Sequence, residues 1–589
     1  MLPNWLENRY DILRKAYHDS SFRFEDAVKT LKEKLHDDKG QVNVVLSELR
    51  KEGWLKTEFD PKDARKKIYT LTSREEILSQ ILTIEKKTLS RGDLEGILKK
   101  AADLIRTRVD YTFILFLLFY KRVSDKWDIE YESAYNEALK DGLSETEAKE
   151  EAKSPAYHSF DIPEDLLWEH IRKDPTKLAE NFSKAMKLMA ERNPELRDVF
   201  ENVDFVQFTT NRENEEILRQ LVELFSASPL HHVSPDILGD AYEWILKYFA
   251  PQKAKEGEVY TPREVIRLIV EMLDPKPGEA VYDPAIGSSG MLISAYQHVG
   301  NVYGRDKADK LFLFGQEANH KTLALSEMNL YIHDIRNAKL LLGDSLLYPK
   351  FKESDGIKTF DVVIANPPWN QDGYGEEVLR KGEFWKERFR YGFSPNQSAD
   401  WAWAEHMLAS AKDDTGRVGV VIDNGCLFRG GKERAIRAGV ISDNLLEAVI
   451  LLPEKLFYNT GAPGAILILN KKKQAKRKGK ILFINASDAF EQHPEIRKLN
   501  RLGDEHIKKI VGAYHHTPLQ GIDGFCKIVS HDQIKENDYN LNVTLYVFPE
   551  EEVEQIDIEK EWQEGTKIEK ELQDIEKKIE SYLGELKEN

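Results

Sequence analysis

Cysteine is nearly absent: Cys426 and Cys526 are the two thiols in 589 residues. They exclude a disulfide framework and a cysteine-based zinc site, and so thiol-poor a chain fits a reducing cytoplasm. Net positive charge is missing too, since the formal charge is −17. A chain that coats nucleic acid by bulk attraction is therefore excluded, and any DNA contact must rest on local basic surface or on a partner. There is no G-x-x-x-x-G-K-[ST] phosphate loop and no obvious nuclease constellation, so translocation and cutting belong to other chains. Long apolar runs are lacking. Residues 111–120 form the longest, half of the roughly 20 residues a membrane span needs, and read as a buried helix. The N-terminus has no signal-like segment. The pairs His231-His232 and His515-His516 have no third ligand at useful spacing, so no metal is expected.

What is present divides into parts. Hydrophobic content of 41% and charged content of 32% suit a soluble globular protein, too long for one core. Residues 1–75 carry three helical periodicities and then two strand-like runs, an order that resembles a winged helix. Lys62, Arg65, Lys66 and Lys67 sit where the wing falls, and both DNA contact and protein docking remain open for them. Residues 76–250 read as a helical domain, with a charged helix or connection over 130–154. Residues 251–548 alternate strands and helices, the pattern of a Rossmann-like, doubly wound parallel sheet. Strands are predicted at 280–282, 311–316, 339–342, 360–365, 417–423, 446–452 and 465–470. The polar stretch 370–399 is too long for an idle connection. Residues 549–589 form a charged helix whose Ile568, Leu572, Ile575, Ile579, Tyr582 and Leu586 recur at spacings of four and three. That seam is made to pack against another helix, of a partner or of the chain's own bundle.

The chain is organised around Phe360-Asp-Val-Val-Ile-Ala-Asn366-Pro367-Pro368-Trp369. Its first half suits a strand buried on both faces. The two prolines stop the strand at its C-terminal end, where open α/β sheets bind ligands. Asn366 Oδ1 and the Pro367 carbonyl can each accept from an exocyclic amine, while Trp369 stacks on the ring that bears it. Upstream, Asp283-Pro-Ala285-Ile-Gly287-Ser288-Ser289-Gly290 lets backbone approach a ligand and presents N–H groups at a helix start. It is not the G-x-G-x-x-G fingerprint, and its leading acid suits an ammonium better than a pyrophosphate. Glu317, at the next strand end, is placed for ribose hydroxyls, and Asp344 for an adenine amine. Together they describe a pocket for an adenosine carrying an amino acid, with S-adenosylmethionine the candidate. Each acid alone is equally well a helix cap; their order along one sheet is the signal.

The ordered set Gly257-Glu-Val-Tyr260-Thr261-Pro262, Asp283-Pro-Ala-x-Gly287, Gly315-Gln-Glu317, Gly343-Asp344 and Asn366-Pro-Pro-Trp369 resembles the amino-group DNA methyltransferases of the γ arrangement. More closely it resembles the modification (M) subunits of type I restriction–modification systems. Arg388-Phe-Arg-Tyr-Gly392 with Asp400 and His406 agrees, as do Gly425-x-Leu-Phe-Arg-Gly-Gly-x-Glu433 and Leu452-Pro-x-x-Leu-Phe457. The likeness spans about residues 91–545. It implies methyl transfer from S-adenosylmethionine to the exocyclic amine of adenine in duplex DNA, with the base flipped from the stack. Asn366, Pro367, Pro368 and Trp369 are then catalytic. Tyr260, Thr261, Pro262, Asp283, Ala285, Gly287, Ser288, Ser289, Gly290, Glu317, Asp344, Ser345 and Asn366 hold the cofactor. The implied partners are a specificity (S) subunit, with two M chains per S chain, and a restriction (R) subunit. Two departures fall in the Gly loop: Ile286 replaces a small residue or Cys, and Ser289 replaces Gly, changes that bear on how tightly the pocket closes. The winged-helix-like start is also outside the common pattern. Competing readings are a methyltransferase for a protein amide, an RNA base amine or cytosine, and a DNA-binding scaffold without turnover.

Overall fold

The computed structural model describes residues 4–18, 20–51, 54–60, 63–72, 91–105, 110–200, 203–230, 233, 237–239, 241–242, 244–245, 248–249, 261–354, 356–457, 460–494, 496–516, 521–548 and 558–587. The chain divides into two compact units, one of Met1–Leu104, Tyr120–Ser159 and Arg219–Ala241, the other of Ile105–Phe119, Phe160–Leu218 and Tyr242–Asn589.

In the first unit the helices Asn4–Tyr17, Phe24–Leu35 and Lys39–Lys51 precede the strands Leu55–Asp60 and Asp63–Leu71. A short strand missed in the sequence, Phe22–Arg23, completes an antiparallel three-stranded sheet by pairing with the last strand. Leu6, Leu13, Ala27, Leu31, Val42, Val45 and Leu49 point into one core, as their spacing dictates. Lys67 is exposed. Lys62 and the side chains of Arg65 and Lys66 lie outside the described residues, as do His231 and His232.

The apolar run at 111–120 starts the helix Thr112–Lys140, where Ile114, Leu115, Leu117, Leu118 and Tyr120 are wholly buried. The charged stretch after it stays ordered. Ser144 accepts from the Glu147 N–H while Glu147 reaches back, a capping box that starts the helix Glu145–Glu151.

The second unit is built on nine strands. In chain order they are β1 (Ala280–Asp283), β2 (Phe312–Glu317), β3 (Ala338–Leu342), β4 (Val362–Ala365) and β5 (Arg417–Asp423). β6 (Leu446–Leu451), β7 (Gly464–Asn470), β8 (Lys480–Asn485) and β9 (Cys526–Ser530) follow. Across the sheet the order is β9-β8-β6-β7-β5-β4-β1-β2-β3. The doubly wound sheet is mixed rather than parallel throughout: β7 runs antiparallel to both β5 and β6, and β9 antiparallel to β8. Residues 452–463 hold no described helix to carry a right-handed crossover, so β7 returns beside β6 as a hairpin partner. β8 and β9 were missed because their apolar runs follow a lysine-rich turn and a polar loop.

Strand β4 is apolar throughout because both of its faces are covered. Val362 and Ile364 join the core under the helices Arg263–Leu273 and Gly290–Tyr303, while Val363 and Ala365 join the one under Asp400–Ala409 and Lys432–Ser442. The chain leaves β1 toward β2 and β3, whereas β4 and β5 lie on the other side of β1. The carboxyl ends of β1 and β4 therefore flank the point where strand order reverses, the place open α/β sheets offer to ligands.

Residues 370–399 are ordered. They wrap the short helices Glu376–Leu379 and Trp385–Arg388 around buried Leu379, Phe389 and Ala399. The C-terminal helix Ile558–Lys587 presents Ile568, Leu572, Ile575 and Ile579 at 52–63% exposure, with Leu583 at 54%. The side chains of Tyr582 and Leu586 lie outside the described set.

Ile286, one of the two Gly-loop departures, turns into the core beneath the loop. It lies so close to β2 that a Cβ on Gly315 would meet its Cδ1 at 2.2 Å and Leu340 Cδ2 at 2.9 Å. Gly315→Ala is therefore expected to cost about 1–3 kcal/mol by overpacking. Ile286→Ala in the same chain should recover part of it. Denaturant melts of the two single variants and the double variant check this, and additive losses would remove Ile286 as the cause.

Candidate methyltransferase site

Four strand ends build the site. Asp283 closes β1 with its carboxyl buried, Oδ1 accepting from the Ala285 N–H at 2.9 Å. Burial, joined by the charge of Glu317, pushes this carboxyl up to about 8. Glu317 closes β2 and ties two segments: its Oε2 accepts from the Gly287 N–H at 3.1 Å and its Oε1 from the Asn319 N–H at 2.9 Å.

Between Asp283 and the helix Gly290–Tyr303 the loop passes through two left-handed residues, Gly287 at φ +54° and Ser289 at φ +69°. Ser289 is the other departure, and its hydroxyl is buried against the Ser326 carbonyl at 3.4 Å. Two residues absent from the sequence reading hold the loop from behind. Ser326 Oγ donates to the Gly287 carbonyl, and Asn329 Nδ2 to the Ser288 carbonyl at 2.8 Å. Their signal was available as two uncharged polar residues three apart in the helix His320–Ile332, both on its buried side.

Asp344, after β3, is occupied at a turn. Its Oδ1 accepts from the Leu346 and Leu347 N–H groups at 2.8 and 3.1 Å, and its Oδ2 from the Tyr374 hydroxyl at 2.7 Å. Tyr374, another residue sequence reasoning missed, comes from the 370–399 segment. Ser345 donates to the Pro284 carbonyl at 2.6 Å, so the β1 and β3 loops touch. Arg388 braces them from below: wholly buried, it donates to the Ser345 carbonyl at 3.1 Å and approaches His406 Nδ1 at 3.4 Å. Burial lowers its guanidinium to about 10 and holds His406 well below its ordinary value.

At the end of β4 the Asn366 amide is tied at both ends. Nδ2 donates to Thr261 Oγ1 at 2.8 Å, while Oδ1 accepts from the Trp369 indole N–H at 2.9 Å. These bonds set which amide atom is oxygen and leave Oδ1 a second lone pair. The Trp369 ring lies edge-to-face on Phe457, 4.6 Å between centroids, and its outer edge meets Gly464 of β7. Pro367 is buried and Pro368 half-buried. Pro262 precedes the helix Arg263–Leu273; Tyr260 lies outside the described residues. No group of three His, Cys, Asp or Glu suited to a metal occurs among the described residues, nor a helix long and apolar enough to cross a membrane.

Buried Asp283 beside Glu317 concentrates acid at these strand ends, and half-buried Ala285, Gly287 and Ser288 offer backbone without bulk. A cationic, amino-acid-bearing nucleoside fits this donor set. Such a fold, with an Asn-Pro-Pro-Trp turn at its switch point, defines an S-adenosylmethionine-dependent methyltransferase acting on an amino group.

The comparisons specify it further. A family model described as N-6 DNA Methylase matches residues 233–555, and one described as HsdM N-terminal domain matches residues 94–225. The chain is 42% identical over 593 residues to the type I restriction enzyme MjaVIII methylase subunit of Methanocaldococcus jannaschii, covering 99% of this chain and 98% of that one. It is 28% identical to the MpnII methylase subunit of Mycoplasma pneumoniae, over 80% of this chain and 92% of the other. Among solved structures it matches the type I methyltransferase subunit from Streptococcus thermophilus with a TM-score of 0.67 and 26% identity, over 78% of this chain and all of that one. The chain belongs to the methylase subunits of type I restriction enzymes. Its activity is transfer of a methyl group from S-adenosylmethionine to the adenine amine of DNA.

The raised Asp283 carboxyl has a measurable sign. In the cofactor-free protein it keeps its proton while the unfolded chain, at an ordinary carboxylate value, has lost it. Its contribution to stability should therefore fall as pH rises from about 4 to about 8 and level off above that. Urea melts across this range should show the decline in the wild type and a flatter curve in Asp283→Asn. Parallel curves would contradict the assignment.

Proposed function

We propose that the chain methylates the N6 amine of adenine in duplex DNA at the Asn366-Pro-Pro-Trp369 turn, as the M subunit of a type I restriction–modification complex. The observation that carries this reading is the Asn366 amide, clamped by Thr261 and Trp369 at the topological switch point.

Asp283 takes the ammonium of the cofactor's amino acid, and Tyr260, Thr261 and Pro262 are assigned to the cofactor as well. Ala285, Gly287, Ser288, Ser289 and Gly290 supply close backbone, Glu317 accepts from ribose hydroxyls, and Asp344 with Ser345 flanks the cofactor's adenine. Bound S-adenosylmethionine supplies an electrophilic methyl group on its sulfonium. The target amine is a poor nucleophile because its lone pair is delocalised into the ring. Asn366 Oδ1 and the Pro367 carbonyl accept its two hydrogens, favouring a more tetrahedral nitrogen and aiming it, so catalysis is positioning and electrostatic rather than covalent. Pro368 stiffens the turn. Trp369, its plane set by the bond to Asn366, stacks on the flipped base; such stacking is worth about 1–3 kcal/mol and offsets part of the unstacking cost.

The chain does not choose its own target in this reading. The half-exposed Ile568, Leu572, Ile575 and Ile579 of the predicted seam form a helix face made for another helix. An S subunit receives it, two M chains to one S chain, with an R subunit joining for cleavage. The winged-helix-like first 75 residues add DNA contact through Lys67 and its neighbours, and the complex works in the cytoplasm.

Asn366→Ala in the assembled complex should bind S-adenosylmethionine with little change yet lose methyl transfer by at least about a hundredfold, the scale of removing a preorganised partner of the reacting group. Tritiated methyl incorporation with calorimetric cofactor binding checks it; near-wild-type turnover would rule the role out. Truncation after Phe548 should leave cofactor binding intact and abolish co-purification with the S subunit, whereas unchanged assembly would move the docking surface elsewhere.

A further inference from the structure

The turn that bears Asn366 is anchored by a cation from the connection that follows a neighbouring strand. Asn370, directly after Trp369, has φ +50°, an uncommon conformation for a residue with a side chain. Two bonds hold it there: its N–H donates to Asp400 Oδ2 at 3.1 Å, and its Oδ1 accepts from Arg429 Nη2 at 2.6 Å. The same guanidinium donates to Asp423 Oδ2 at 2.5 Å, to Ser398 Oγ at 3.1 Å and to Glu433 Oε1 at 3.4 Å. Asp423 is the last residue of β5, and Glu433 lies in the first turn of the helix Lys432–Ser442. Asp400 opens the helix Asp400–Ala409. One planar fork thus joins three elements to the residue that follows the turn.

The cluster needs that cation. Asp400 and Glu433 are both buried and both meet Ser398 Oγ, at 2.6 and 2.9 Å, although a hydroxyl has one proton to donate. Burial raises both carboxyls above their ordinary values, and among the described residues Glu433 Oε2 has no hydrogen-bond partner. A lysine could not reproduce the geometry, because one ammonium cannot present two nitrogens to two pairs of acceptors in a fixed plane.

We propose that Arg429 is a positioning residue for methyl transfer: through Asn370 it fixes the Asn366-Pro-Pro-Trp369 turn against the end of β5. The inference rests on Asn366 holding the target amine, and displacement of a positioning group by about 1 Å is enough to cost about a hundredfold in rate.

A double-mutant cycle in the assembled complex tests it. Arg429→Ala should lower kcat by about ten- to a hundredfold, the loss expected for a hydrogen bond to a charged group, with KM for DNA and Kd for S-adenosylmethionine within about twofold. Asn370→Ala should also lower kcat, and the double variant should be no slower than the slower single one, since one acts through the other. Millimolar guanidinium should restore part of the Arg429→Ala rate. Losses that multiply in the double variant, or a lower melting temperature with unchanged kcat, would overturn the proposal and leave Arg429 a structural tie. Should Arg429→Ala fail to fold, the cycle is run in a Glu433→Gln background, which removes one of the acids it leaves uncompensated. If Asn366→Ala still turns over, the reading of the turn fails whatever Arg429 does, so the two failures are told apart.

Discussion

The site depends on where β4 is forced to stop. Val362 to Ala365 are buried on both faces between β1 and β5, so the strand extends only as far as its apolar run. Pro367 and Pro368 cannot continue the ladder. The residue left at the boundary is Asn366, whose amide the Thr261 hydroxyl and the Trp369 indole hold at opposite ends. The Gly loop, the β2 and β3 acids and the 370–399 segment all assemble around that stop.

Electrostatics around the stop are asymmetric. At the proposed cofactor side burial, with the charge of Glu317 added, raises the Asp283 carboxyl, a cost the free protein bears and a cationic ligand would relieve. The nearby arginines are spent within the fold, Arg388 on the Ser345 carbonyl and Arg429 on the Asp423 carboxylate. Neither arginine is offered to a phosphate, in keeping with the net charge of −17. Such a chain reaches a polyanion through partners and local basic patches rather than through its bulk field.

How much was legible in the sequence follows from distance along the chain. Strand ends with Asp283, Glu317, Asp344 and Asn366 could be read directly, because a short apolar run followed by a turn and a polar residue is a local pattern. The tie from Tyr374 to Asp344 spans 30 residues and that from Arg429 to Asn370 spans 59, and nothing local marks either. Ile286 was expected to bear on the pocket, yet it faces the core, since a side chain's direction is set by the loop's φ values and not by its neighbours' identities. The reversal of β7 was hidden for a related reason: its apolar run reads alike in either direction, and its sense is decided by the missing crossover helix.

The account's central claim is that Asn366 and Pro367 hold the reacting amine. A structure of the assembled complex with its target duplex and a non-reactive S-adenosylmethionine analogue measures this directly. The account predicts an extrahelical adenine stacked on Trp369, with its amine nitrogen about 2.7–3.2 Å from both Asn366 Oδ1 and the Pro367 carbonyl oxygen. An adenine whose amine meets other acceptors, or one still paired in the duplex beside a filled cofactor pocket, would contradict it.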